Sequence, residues 1–171
     1  MPLRRFFNLF ILLFIFFLLL PGWALAGSTQ AQKDIIDIAN PTAKPAVVDR
    51  HGHYIKYAIG IVKDTRTGLE WYAGPDKDTN WNEAKRWVES LNVANGGWHM
   101  PTRKELEALY KMGTGKRNMT PLLKTTGWQV WSGETKDSSS SWGFGFGSGF
   151  EFWDTSAFSS DRRGFAVRSR K

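Results

Sequence analysis

The sequence predicts an α+β domain in which two short helices pack on a small, mainly antiparallel sheet. Three observations carry this. Asn80 to Glu83 and Thr102 to Glu105 are capping boxes, each heading a run with apolar residues at helical spacing. Short β-rich segments bounded by Gly, Asp and Thr lie on either side of that pair. The tail carries an aromatic run, Trp142 to Trp153, that alternates with small residues, turns on Gly147-Ser148-Gly149 and alternates again.

In the first helix Asn80 is the cap, and Trp81, Ala84, Trp87, Val88 and Leu91 fall on one stripe that must be buried. Asn95-Gly96-Gly97 is expected to stop it, since glycine takes left-handed conformations without a Cβ penalty. Trp98-His99-Met100-Pro101-Thr102 forms the joint. Pro101 and Thr102-Arg103-Lys104-Glu105 open the second helix, which turns Leu106, Leu109 and Tyr110 inward.

Ahead of the helices, Tyr54 to Val62 reads as the first strand with Gly60 as a bulge. Asp64 to Gly68 reads as a hairpin turn and Leu69 to Tyr72 as its return. Gly74 to Asp78 is a loop in which Asp76 and Asp78 are solvated, because the ligand series of a calcium loop is absent. Behind the helices come a strand from Gly127 to Ser132, a polar loop from Gly133 to Ser141 and the aromatic hairpin. One hairpin face should be all aromatic and the other nearly bare, either as core or as an exposed stacking platform. Asp161-Arg162-Arg163-Gly164 reads as the final turn and Phe165 to Arg168 as the closing strand.

The chain of 171 residues suits one domain with flanking segments. Arg4 and Arg5, the apolar run Phe6 to Leu20 and the small residues Ala24-Leu25-Ala26 have the order of a secretory signal, so residues 1–26 are read as a signal peptide cleaved after Ala26. The apolar run is shorter than the roughly 20 residues of a membrane span, so no span is expected after cleavage. Residues 27–54 read as a polar linker and 55–171 as the domain. There is no cysteine, so packing and hydrogen bonds must supply the stability of an exported chain. The formal charge of +7 becomes +5 once Arg4 and Arg5 leave with the signal, which favours acidic partners.

Several pieces, in order, resemble the Legionella collagen-like protein C-terminal domain family: Asp64-Thr65-Arg66-Thr67-Gly68-Leu69-Glu70-Trp71, Trp81-Asn82-Glu83-Ala84, Trp98 to Leu106, Trp131-Ser132 and Val167-Arg168. His99 and Met100 stand where the family usually has Arg and Leu. The resemblance spans roughly Ile59 to Arg168 and implies a C-type lectin-like fold. It also implies structural roles for Trp81, Trp98, Pro101, Glu105 and Trp131.

Catalysis is not indicated: there is no cysteine, no Gly-x-Ser-x-Gly, and His99 has no marked Ser or acid partner. No cofactor is expected. His51-Gly52-His53 lacks a third ligand and reads as an exposed turn, not a metal site. Lys111 to Asn118 lacks phosphate-loop spacing, which argues against nucleotide, and reads as an exposed cationic loop. The expected function is therefore an exported, non-enzymatic binding module. Arg103, Lys104, Lys111, Lys116 and Arg117 are its candidate contacts to an acidic or sulfated glycan or other surface polymer. The alternative is a structural or assembly domain that docks on another envelope protein through aromatic surface.

Overall fold

The computed structural model describes residues 45–169, so the segment read as a signal peptide and most of the segment read as linker lie outside the described residues. Nine strands and two α-helices follow in order: β1 Val47–His51, β2 Tyr54–Tyr57, β3 Val62–Asp64, β4 Leu69–Ala73, α1 Trp81–Ser90, α2 Arg103–Leu109, β5 Gln129–Thr135, β6 Ser140–Gly145, β7 Phe150–Thr155, β8 Arg162–Arg163 and β9 Phe165–Ser169. They form a five-stranded sheet, β1-β2-β3-β4-β9, and a four-stranded sheet, β7-β6-β5-β8. Every named pairing is antiparallel except β5 with β8. The α+β class with two helices on mainly antiparallel sheets is thus as the sequence predicts. No helix among the described residues is long and apolar enough to cross a membrane.

Both helices begin where their capping boxes place them. Asn80 Oδ1 accepts the Glu83 N–H at 2.9 Å while Glu83 returns a carboxylate oxygen to the Asn80 N–H at 3.0 Å. Thr102 and Glu105 repeat the exchange at 3.2 and 2.7 Å. The end of α1 differs from expectation. It stops at Ser90, because Leu91 is already extended, and a single 3₁₀ turn at Val93–Asn95 precedes the glycines. Ala94, Asn95, Gly96 and Gly97 all have positive φ, so the chain unwinds over several residues before it reaches Trp98.

Four strand expectations are corrected. Val47–His51, inside the segment read as linker, pairs with β2. It is a sheet edge whose side chains are mostly exposed, so backbone hydrogen bonds hold it and hydrophobic periodicity is silent there. Tyr54 to Val62 is two strands, because the chain reverses at Tyr57–Ile61 with Gly60 at a φ of 88° in the turn. Arg162 and Arg163 form β8, with the turn displaced to Asp161 at a φ of 57°. The polar loop from Gly133 is in part the continuation of β5 to Thr135. The closing strand β9 lies beside β4 and forms one edge of the first sheet, with β1 at the other.

The alternation of side chains across each strand separates two cores. On β9, Phe165 and Val167 face one way with Trp71 of β4, joining Leu106, Leu109, Val130, Phe144 and Phe146. Ala166 faces the other way, with Ile61, Ala84, Val88, Trp98 and Trp131. The register of the β6–β7 hairpin overturns its all-aromatic face. Trp142 pairs with Trp153 and Phe144 with Glu151, whereas Gly143 pairs with Phe152 and Gly145 with Phe150. Aromatics therefore occupy both faces, and the glycine face is not bare. A Cβ on Gly143 would collide with the Phe152 ring, so that glycine is what lets Phe152 lie across β6 onto Trp131. The hairpin is also both things the sequence left open: Phe144 and Phe146 are core, while Phe150 and Trp153 are 73% and 53% exposed.

Candidate binding surface

The joint between the helices is built around Arg168. Its guanidinium bonds Glu70 Oε2 through Nη2 at 2.7 Å and Nε at 2.9 Å, with both side chains buried. Nη1 donates to the carbonyls of Ala94 at 2.9 Å and of Gly96, which the positive-φ run turns inward. The Trp98 ring stacks 4.2 Å from the guanidinium, and its Nε1 donates to Val93 O at 3.0 Å. Glu70, Trp98 and Arg168, separate pieces of the sequence pattern, thus meet at one point. His99 beside them is exposed, and its backbone pairs with Val167 of β9 at 3.0 and 2.9 Å.

The other motif residues also serve the frame. Trp81 Nε1 donates to Ser132 O at 2.8 Å, tying the start of α1 to β5, and Trp131 Nε1 donates to Thr79 O at 2.9 Å from a fully buried ring. Pro101 is buried, and its carbonyl accepts the Gly133 N–H at 2.8 Å. Glu105 completes the α2 cap. Asp76 and Asp78 are exposed, as expected, and in addition hold the buried Arg163 at 2.8 Å each, while Asp76 also accepts the Thr126 N–H at 2.9 Å. Burial pushes the Asp76 carboxyl up, but the hydrogen bonds from Arg163 and Thr126 outweigh it and hold its pKa at about 2.

The five candidate cations do not form one set. Arg103 is turned onto the second sheet, where Nε bonds Glu134 at 2.6 Å and Nη1 bonds Glu151 at 2.8 Å, with the guanidinium 4.4 Å from the Trp142 ring. The Glu134 carboxylate raises the Arg103 pKa; burial pushes Glu134 up, and the Arg103 backbone and guanidinium donors outweigh it and hold it down. Arg117 stacks on the half-exposed Trp128 at 4.2 Å and donates through Nε to Thr126 O at 3.0 Å. Lys104, Lys111 and Lys116 are exposed and form no ion pair among the described residues. Lys111 and Lys116 belong to a loop of fixed shape: the Lys111 N–H reaches Asn118 O at 2.7 Å, the Gly113 N–H reaches Asn118 Oδ1 at 2.9 Å, and Asn118 Nδ2 anchors to Phe146 O at 2.8 Å.

Two hollows lie beside the helices. One of about 370 Å³ lies between α1 and the joint, lined by Trp81, Trp98, His99 and Met100, with the paired Lys85 and Glu89 at its rim. The other, of about 480 Å³, lies where the β1–β2 turn meets the end of α2, and Lys111, His51, His53 and Arg66 line it. The sequence reading placed His51 and His53 in an exposed turn and gave Arg66 no role. Their approach to Lys111 depends on β1 pairing with β2, which periodicity could not reveal.

The profile of the Lcl C-terminal domain matches residues 60–168, from the turn before β3 to Arg168. The match therefore includes both helices, the second sheet and every member of the Arg168 node. No curated protein matches the chain. With the pattern, its spacing and its meeting point in agreement, the chain belongs to the Lcl C-terminal domain family.

Proposed function

We propose that this domain is an exported, non-enzymatic binding module of C-type lectin-like fold that recognises an acidic or sulfated glycan, or another anionic surface polymer. Membership in the Lcl C-terminal domain family supports a binding or adhesion-type module. The observation that carries the anionic ligand is the set of Lys104, Lys111 and Lys116 on α2 and the loop after it, exposed and without an ion pair among the described residues. Free surface ammonium groups keep their full attraction for a polyanion, whereas cations already bonded to carboxylates offer little. Arg103 and Arg117 contribute as supports of the surface, through Glu134 and Trp128. The lectin-like reading is in keeping with two helices, an antiparallel sheet closed by the C-terminal strand and a second, smaller sheet.

The test is retention on immobilised heparin at low and high salt. Lys104→Glu, Lys111→Glu and Lys116→Glu together should elute the protein at distinctly lower salt than Arg86→Glu with Lys77→Glu, which reverses exposed charge elsewhere. Proportionate loss in both variants would reduce the binding to net charge and remove the surface. Export rests on the leader and on the family's association with surface and secreted proteins. Mass spectrometry of exported protein should find Gly27 as the first residue, and an intact Met1 in a membrane fraction would contradict it.

A specific observation favours a second reading. Phe150 and Trp153 are exposed on β7, an unpaired edge of the second sheet, and an apolar edge strand is a docking surface for another envelope protein. Such docking would be little affected by salt, which separates it from the polyanion.

A further inference from the structure

The cavity of about 480 Å³ beside Lys111 has a chemistry of its own. His51 and His53 flank Gly52, whose φ of 58° makes the tight β1–β2 turn, and both residues line the cavity. His51 Nδ1 is shielded from solvent and has no hydrogen-bond partner. His53 Nε2 is equally shielded and stands 3.6 Å from Asp64, beyond hydrogen-bond length. Arg66 enters from the β3–β4 turn and Lys111 from the loop after α2, and neither side chain makes an ion pair among the described residues. Tyr54 and Thr114 add hydroxyl groups. Burial and then Asp64 push the Tyr54 hydroxyl up, so it stays a proton donor at neutral pH.

No aspartate or glutamate lines this cavity. Asp64 lies behind it, buried, with Oδ1 already accepting the Arg66 N–H at 2.8 Å. Donors and cations therefore converge on a space with no acceptor of negative charge. Arg66 and Lys111 on one cavity, with no carboxylate in its lining, leave their charge for a bound anion. The volume is that of a pocket for a small ligand and not of a bare ion. We propose that the cavity binds one acidic sugar residue by its oxyanion, a carboxylate or a sulfate ester, with Arg66 and Lys111 pairing the charge. This deepens the glycan reading and rests on it for the sugar.

The experiment follows the imidazole signals of the full purified protein by NMR during titration with glucuronic acid, glucose 6-sulfate, glucose and inorganic sulfate. Saturable shifts of His51 and His53 with one or both acidic sugars, at least about tenfold weaker for glucose and for sulfate, support the proposal; which sugar binds more tightly identifies the oxyanion. Arg66→Gln and Lys111→Gln should each weaken the acidic sugar by about tenfold. Absence of saturable shifts with both acidic sugars, equal binding of glucose or of inorganic sulfate, or wild-type affinity in both variants would overturn it. Heparin retention that falls in the lysine reversals but not in Arg66→Gln, with no sugar binding, would overturn the cavity alone and leave the polymer surface standing. Acidic-sugar binding without heparin retention would do the reverse.

Discussion

The basic residues near the C-terminus and those around α2 occupy opposite electrostatic situations. Arg162, Arg163 and Arg168 are all buried, and each has a carboxylate: Asp154, the Asp76 and Asp78 pair, and Glu70. Lys104, Lys111 and Lys116 are exposed and bond none among the described residues. The arginine fork suits the first task, because a planar group with several donors can satisfy carboxylates and backbone carbonyls together. A strongly hydrated ammonium on a flexible stem suits the second. Formal charge therefore overstates what a partner meets: the charge of Arg162, Arg163 and Arg168 is internal, and the candidate cations left exposed around α2 are lysines.

Substitutions at the Arg168 node should show the largest effect. Arg168→Ala leaves Glu70 buried without its partner and frees the inward carbonyls of Ala94 and Gly96, a loss of about 3–5 kcal/mol. Trp98→Ala, which removes the stacked ring from the same point, should cost about as much, roughly 3–5 kcal/mol. Thermal or urea unfolding measures both. A near-unchanged midpoint for Trp98→Ala would end its assignment to the frame and free it as a surface platform.

A smaller effect is expected in acid. The Asp76 carboxyl is depressed from 3.8 to about 2, so its contribution is fully present above the unfolded value and is lost as pH falls from about 4 towards 2. Because the carboxylate is more than a third exposed, solvent screening keeps this contribution modest. Asp76→Asn should flatten the stability profile across that window, and an unchanged acid limb would contradict the clamp. The smallest effect belongs to the lysines. The triple reversal of Lys104, Lys111 and Lys116 should shift stability by no more than about 0.5 kcal/mol per site, while changing heparin retention most. Unfolding of that variant would show that the loop cations support the fold after all.

The contrast also explains how far the sequence could be read. Capping boxes, the Asp64 to Gly68 turn and the apolar stripes are local, since each requires only residues within a few positions, and these placed both helices and the β3–β4 hairpin. The helix stop was misplaced because its cause lies 72 and more residues away: Arg168 draws in the carbonyls of the unwinding segment. The ion pairs of Asp76 and Asp78 are hidden from the sequence for the same reason, as Arg163 is 87 and 85 residues distant.

The aromatic hairpin marks the boundary most clearly. Alternation identified two strands and a turn, yet the choice of face depends on register, and a shift of one residue exchanges every side chain between faces. Pairing Gly143 with Phe152 was settled by the contact of Phe152 with Trp131 on the neighbouring strand. For the candidate surface, the sequence by itself determined that cations would cluster at the two ends of α2, because that follows from helix boundaries alone. Only the tertiary structure decided which of them stay free, because whether a cation is free depends on which carboxylates the sheets carry to it: Glu134 and Glu151 reach Arg103, and none among the described residues reaches Lys111.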